Sequence, residues 1–137
     1  MTFRPDILRG APTGGFPGQV DFRLARNHLV REYHRGRLSR LDICDAHPEL
    51  LRAARNVGAP TETECPICED EHLVHVTYAF GARLPAQGKL VDTLAEMSKL
   101  KRRVAEAACY VVEVCPNCAW NHLARTFPVG GTQRARA

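Results

Sequence analysis

Two short cysteine pairs, Cys65-Pro66-Ile67-Cys68 and Cys115-Pro116-Asn117-Cys118, limit the folds open to this chain more than any other feature. With two residues between them, both sulfurs of a pair can reach one ion from a single tight turn, and the proline after the first cysteine stiffens that turn. Two such pairs supply four thiolates, a full tetrahedral set for one structural zinc ion at Cys65, Cys68, Cys115 and Cys118. A chain of 137 residues buries a smaller share of its surface than a large domain, so a metal staple adds stability where it is needed.

Each knuckle is flanked by strand-like sequence, the arrangement of a zinc ribbon, in which two knuckles clamp one ion at the edge of a small sheet. The spacing departs from a simple ribbon. Forty-six residues separate Cys68 from Cys115, where about 15–20 is usual. That spacer holds one strand and a basic helix, which reads as a helical insertion over residues 87–106. The expected fold is α+β: an N-terminal module of about three helices, then a ribbon-like antiparallel sheet of about three strands. The organisation this implies is a flexible arm at 1–18, a helical module at 19–60, the ribbon-like domain at 61–129 and a flexible tail at 130–137.

Along the chain, Met1–Gly18 is rich in proline and glycine and has no apolar period. Gln19–His34 reads as a helix with Phe22, Ala25, Leu29 and Tyr33 on one stripe and its arginines largely off it. Ser39 and Asp42 form a capping-box pattern for a short helix. Asp45 or His47 then caps a third helix with Pro48 in its first turn, which Gly58 and Pro60 stop. Thr61–Glu64 leads into the first knuckle. Val74, Val76, Tyr78 and Phe80 alternate as a strand, 92–104 is helical, and 108–114 and 120–129 read as two further strands.

Charge gives a weaker signal. The formal net charge is +4, with five acidic residues and no Lys or Arg between residues 61 and 80. Arg35, Arg37, Arg40, Arg52 and Arg55 on the helical module, and Lys99, Arg102 and Arg103 on the insertion, form basic groups of the kind that contact phosphates without reading sequence. The same groups are ordinary on a solvated helix face. Trp120 and His122 follow the second knuckle and complete the candidate binding surface. Trp120 either stacks on a partner or packs over the knuckle and shields the ion.

Several alternatives narrow. A CPxC turn also serves thiol–disulfide enzymes, where it opens a helix that lowers the thiol pKa. Here Glu69, Asp70 and Glu71 and then a strand follow Cys68, and that negative charge is expected to raise it. Four cysteines leave a zinc ion no open position for catalysis, and no phosphate loop or nucleophile elbow is present, so no enzyme activity is expected. Cys44 and Cys109 lack a CxxC partner and read as buried free thiols. His72, His75 and His122 lie close enough in sequence to assist the metal. The N-terminus has no apolar segment of a signal peptide and no run reaches the ~20 residues of a membrane span. A cytoplasmic setting, where thiols stay reduced, is the expectation.

The stretch Asp42-Ile43-Cys44-Asp45-Ala46-His47-Pro48-Glu49-Leu50-Leu51-Arg52-Ala53-Ala54, the first knuckle, and Val111-Val112-Glu113-Val114-Cys115 through Trp120-Asn121-His122-Leu123 together resemble an uncharacterised family of small paired-CxxC proteins from high-GC Gram-positive bacteria. The resemblance covers about residues 19–127, with Gln87–Glu106 matching least. It implies a bound metal and a cytoplasmic bacterial setting, and the family carries no established activity. By analogy of fold, zinc ribbons often serve the transcription and translation machinery. The function expected is therefore a non-enzymatic accessory or regulatory factor binding RNA polymerase, a ribosome or nucleic acid. A protein–protein adaptor and a zinc-thiolate redox switch are the competing expectations.

Overall fold

The computed structural model describes residues 18–103 and 106–130. The arm and tail expected at 1–18 and 130–137 therefore lie outside the described residues apart from Gly18 and Gly130. In chain order the elements are β1 (Val20–Asp21), α1 (Arg23–His34), α2 (Arg40–Ile43), α3 (Pro48–Val57), β2 (Ala59–Glu64), β3 (His72–Phe80), β4 (Lys89–Leu90), α4 (Leu94–Arg103), β5 (Glu106–Val114) and β6 (Asn121–Gly130). The α+β class and the three N-terminal helices match the sequence reading. The sheet is larger than expected: six strands among the described residues, ordered β1-β6-β5-β3-β2, with β4 also on β3.

The strands that the sequence did not reveal are short or exposed. Residues 19–22 do not extend the first helix. Val20 and Asp21 instead pair antiparallel with Thr126 and Arg125, and the chain turns into α1 only after the Phe22 amide has bonded the Ala124 carbonyl. The β2 sequence, Ala-Pro-Thr-Glu-Thr-Glu, has no apolar alternation because almost all of it is exposed at a sheet edge, where proline and charge are tolerated. In β3 the buried residues are Leu73, Val76 and Ala79, three apart, so the alternation from Val74 to Phe80 is not realised; both faces of this strand are partly covered.

The chain forms two compact units. One comprises Phe22–Val76 and Val111–Ala124, and the other holds Thr77–Tyr110 with β1 and the residues from Arg125 onward. In the second of these, Val91, Leu100, Ala107, Cys109, Phe127 and Val129 are buried. Thr93 starts α4 by accepting the Glu96 amide at 3.0 Å. Leu94 in this helix is 86% exposed, and Leu100 takes the buried position.

The first unit contains all three N-terminal helices and both knuckles. Its core is Ile43, Cys65, Ile67, Leu73, Cys115 and Trp120, with Leu29, Val30, Tyr33 and Leu38 packed against it. The cysteines are thus part of the core that the helices cover. Local sequence explains the helices well. Ser39 and Asp42 make the expected capping box. Of the two candidate caps for α3, His47 takes the role, its Nδ1 accepting the Glu49 amide at 3.1 Å, with Pro48 at the first helical position. The α1 stripe differs from its reading. Ala25 is exposed and Arg26 turns inward, where its Nε donates to Glu113 at 2.8 Å.

Candidate metal centre

The two knuckles are near copies of one turn. In the first, the Glu69 amide bonds the Cys65 carbonyl at 3.1 Å and the Cys65 amide bonds the Glu71 carbonyl at 2.8 Å. In the second, the Ala119 amide bonds the Cys115 carbonyl at 3.0 Å and the Cys115 amide bonds the Trp120 carbonyl at 2.8 Å. The residue after the second cysteine is left-handed in both, Glu69 at φ 60° and Ala119 at φ 76°. A non-glycine residue there carries about 1–2 kcal/mol of strain, which the same turn in both knuckles accepts as part of presenting two sulfurs on one side.

The sulfurs of Cys65, Cys68, Cys115 and Cys118 all lie within 4.8 Å of one another. Two cross-knuckle separations, Cys65 to Cys118 and Cys68 to Cys115, are each 3.7 Å. A tetrahedron of sulfurs with arms of about 2.3 Å has edges of about 3.8 Å, so these two separations match the spacing around a zinc-like ion. Amides serve the sulfurs as in a metal knuckle. Ile67 N–H points to Cys65 Sγ and Cys118 N–H to Cys115 Sγ, both at 3.4 Å, and Asn117 Nδ2 reaches Cys68 Sγ at 3.6 Å. These donors stabilise negative sulfur without competing for the ion.

Thiol acidity is divided unevenly. Burial works against a charged Cys68 sulfur, but hydrogen bonds from the Asp70 backbone, the Asn117 side chain and the neighbouring thiols outweigh it and bring its pKa down to about 7. The acidic run Glu69–Glu71, expected to raise the thiols beside it, does not decide the outcome at Cys68; directed donors do. Burial pushes Cys115 up to about 11, and burial, reinforced by Cys44 and Cys65, pushes Cys118 well above the ordinary thiol range. Near neutral pH a metal must therefore displace protons from at least Cys115 and Cys118. Its apparent affinity is expected to fall at least about a hundredfold for each unit by which the pH is lowered, and more steeply below about pH 7 as Cys68 also gains a proton. Chelator competition across that range checks this, and an affinity that does not change with pH would contradict it.

Trp120 is fully buried in the core cluster. Its Nε1 donates to Glu113 at 2.8 Å, so it offers no face to a partner and covers the cysteines instead. Its ring stacks with that of His122 at a centroid distance of 6.0 Å. The His122 Nδ1 is 2.7 Å from the Leu123 carbonyl, and the four-atom metal group consists of cysteines without His72, His75 or His122.

The basic residues are distributed over both units. Arg35 and Arg37 reach Glu32 at 3.6 and 3.2 Å, Arg52 reaches Glu49 at 2.6 Å, and Lys99 reaches Glu96 at 3.8 Å. These cations are all more than half exposed, and such pairs contribute little to stability. Arg40 bonds the Tyr33 side chain, which together with the nearby Cys118 and Cys44 sulfurs raises its pKa. Arg55 ties α3 to the second knuckle through the Pro116 carbonyl at 3.1 Å. Arg102 is exposed, and the Arg103 side chain lies outside the described residues.

Two contacts at this centre were not foreseen. Glu113 joins Arg26 and Trp120, and its signal was an acidic residue inside the valine-rich β5. Cys44, expected as a buried free thiol, is half-buried and 3.5 Å from Cys118. Cys109 is buried and free in the other unit, and burial pushes its thiol up to about 11.

The fold and site define a small α+β protein with a cluster of four cysteines able to hold a metal ion. The chain belongs to the Family of unknown function (DUF5318), which matches residues 17–137. It is 41% identical over 117 residues to Uncharacterized protein Mb0050 of Mycobacterium bovis and to Uncharacterized protein Rv0049 of Mycobacterium tuberculosis, covering 85% of this chain and 85% of each relative. These relatives come from high-GC Gram-positive bacteria, as the sequence resemblance implied. No solved structure matches the chain. Among the described residues, no helix is long and apolar enough to cross a membrane.

Proposed function

We propose that the chain is a non-enzymatic, cytoplasmic protein built around one structural zinc ion, and that it acts as an accessory or regulatory factor on an anionic surface of the transcription or translation machinery. The observation that carries the reading is the closed set of four sulfurs within 4.8 Å of one another, with Cys65 and Cys115 in the core and Cys68 and Cys118 packed against it. Zinc fits best because it accepts four thiolates without preference for an open site. With all four positions filled, the ion holds the fold and activates no water, which supports a binding role rather than catalysis. A zinc-ribbon-like clamp describes how the two knuckles would share that ion.

The anionic partner rests on charge. Between residues 22 and 57 there are eight arginines against four acidic residues, and Arg37 and Arg52 are 65% and 63% exposed. The acidic run from Glu62 to Glu71 directs any phosphate contact away from the first knuckle. The adaptor reading draws on Leu41, 89% exposed in α2 next to Arg40. Binding to duplex DNA and structured RNA, measured across a salt series, tests the two. On the leading reading the affinity falls steeply with salt, and Arg37→Ala with Arg52→Ala makes the slope shallower by about one to two phosphate contacts. Absence of salt-sensitive binding to either polymer would overturn it. Nuclease-resistant capture of one protein partner that Leu41→Asp abolishes would establish the adaptor.

A further inference from the structure

The sulfur next to Cys118 does not belong to the tetrahedron. Cys44 Sγ lies 3.5 Å from Cys118 Sγ, closer than either of the 3.7 Å cross-knuckle pairs among the four metal-site sulfurs. The chain holds it there by its backbone. Cys44 ends α2, its amide bonded to the Arg40 carbonyl at 2.7 Å. The Ala46 amide then bonds the Ala119 carbonyl at 3.0 Å, and Asn121 Nδ2 donates to Asp45 Oδ1 at 3.0 Å. Residues 44–46 are thus fastened alongside the second knuckle, and the two sulfurs meet because two backbone segments do.

Access separates the sulfurs further. Cys65 and Cys115 are fully buried, whereas Cys44, Cys68 and Cys118 are each partly exposed. Cys118 is therefore a partly exposed metal-site residue whose sulfur also touches a thiol outside the metal set.

We propose that Cys44 and Cys118 form an oxidation-sensing pair: a hydroperoxide converts them to a disulfide, which removes one metal ligand and releases the ion. This rests on the metal-centre reading above and names how the site is regulated. The Cys118 sulfur, which has given up its proton where it holds the ion, attacks the peroxide, the O–O bond breaks, and Cys118 becomes a sulfenic acid as hydroxide leaves. The Cys44 sulfur attacks the Cys118 sulfur, the S–O bond breaks, and the Cys44 proton leaves with that oxygen as water. Two electrons pass from the sulfurs to the peroxide, and the 3.5 Å separation closes to a bond of about 2.05 Å. Three thiolates remain and hold the ion less tightly. The new bond links positions 74 residues apart, so α2 stays tied to the second knuckle after the metal has gone. A dithiol reductant restores the site.

The test uses the full chain loaded with zinc. Metal content is measured first, in the wild type and in Cys44→Ser. Hydrogen peroxide is then added, zinc release is followed with a chromophoric chelator, and disulfides are mapped by peptide mass spectrometry. The expected result is equal zinc loading, a 44–118 disulfide in the wild type, and release slowed about tenfold or more in Cys44→Ser, which lacks the thiol nearest to Cys118 and leaves only sulfurs engaged with the ion, Cys65 at 3.7 Å among them, to resolve the sulfenic acid. Cys44→Ala should repeat that result, and Cys109→Ala should behave as the wild type. Equal release rates in wild type and Cys44→Ser, or disulfides confined to Cys65, Cys68, Cys115 and Cys118, would overturn the proposal and leave the metal centre standing. A wild type that carries no metal before peroxide would overturn both.

Discussion

Cys65→Ser and Cys115→Ser are expected to remove the metal and abolish the cooperative unfolding transition of the unit that holds the knuckles. Both cysteines are fully buried beside Ile43, Ile67, Leu73 and Trp120. A serine there cannot supply a thiolate and places a hydroxyl in an apolar core. Structural zinc contributes on the order of 10–16 kcal/mol of apparent binding energy in small zinc modules, against a net stability of about 5–15 kcal/mol for a typical domain. Losing the ion therefore removes an amount comparable to the whole. Trp120, the only tryptophan, lies in that core and makes the loss visible. Its emission should move to that of a solvated indole in both variants at ambient temperature. Variants that melt as cooperatively as the wild type, with Trp120 still shielded, would show that the cysteines hold no structural ion.

The second large effect is expected at Glu113. Its buried carboxylate accepts from Arg26 Nε and from Trp120 Nε1, both at 2.8 Å, joining α1, β5 and the residue that covers the knuckles. Glu113→Ala leaves a guanidinium that is only 19% exposed without its partner and a buried indole N–H without an acceptor. Breaking such a pair costs about 3–5 kcal/mol, and the orphaned N–H adds to the penalty. Glu113→Gln keeps the shape and one acceptor oxygen, so it should cost less, about 1–2 kcal/mol. Urea unfolding with the metal kept saturating separates this effect from metal loss. A Glu113→Ala variant within about 0.5 kcal/mol of wild type would mean that solvent replaces both contacts.

What was legible in the sequence was local. A CxxC turn carries its ligand geometry within four residues, and the Ser39–Asp42 capping box and the proline at the start of α3 act within one helical turn. The contacts that escaped are long-range. Arg26 and Glu113 are 87 positions apart, and Cys44 and Cys118 are 74 apart, so no periodicity could join them. Arg26 was misplaced because a stripe of apolar residues does not show that a charged one shares it. The edge strand β2 was missed for the opposite reason, since an exposed edge has no need of the alternation by which strands are found. Trp120 shows how an isolated aromatic residue remains ambiguous until its burial and the partner of its N–H are known.

X-ray absorption at the metal edge of the protein purified from its native cell decides whether the four cysteines hold zinc, because one spectrum identifies the ion and counts the atoms around it. The expected spectrum has a zinc edge with four sulfur scatterers at about 2.3 Å and no nitrogen or oxygen in the first coordination sphere. A protein without metal, or an ion bound through nitrogen or oxygen in place of one of the four cysteine sulfurs, would contradict it.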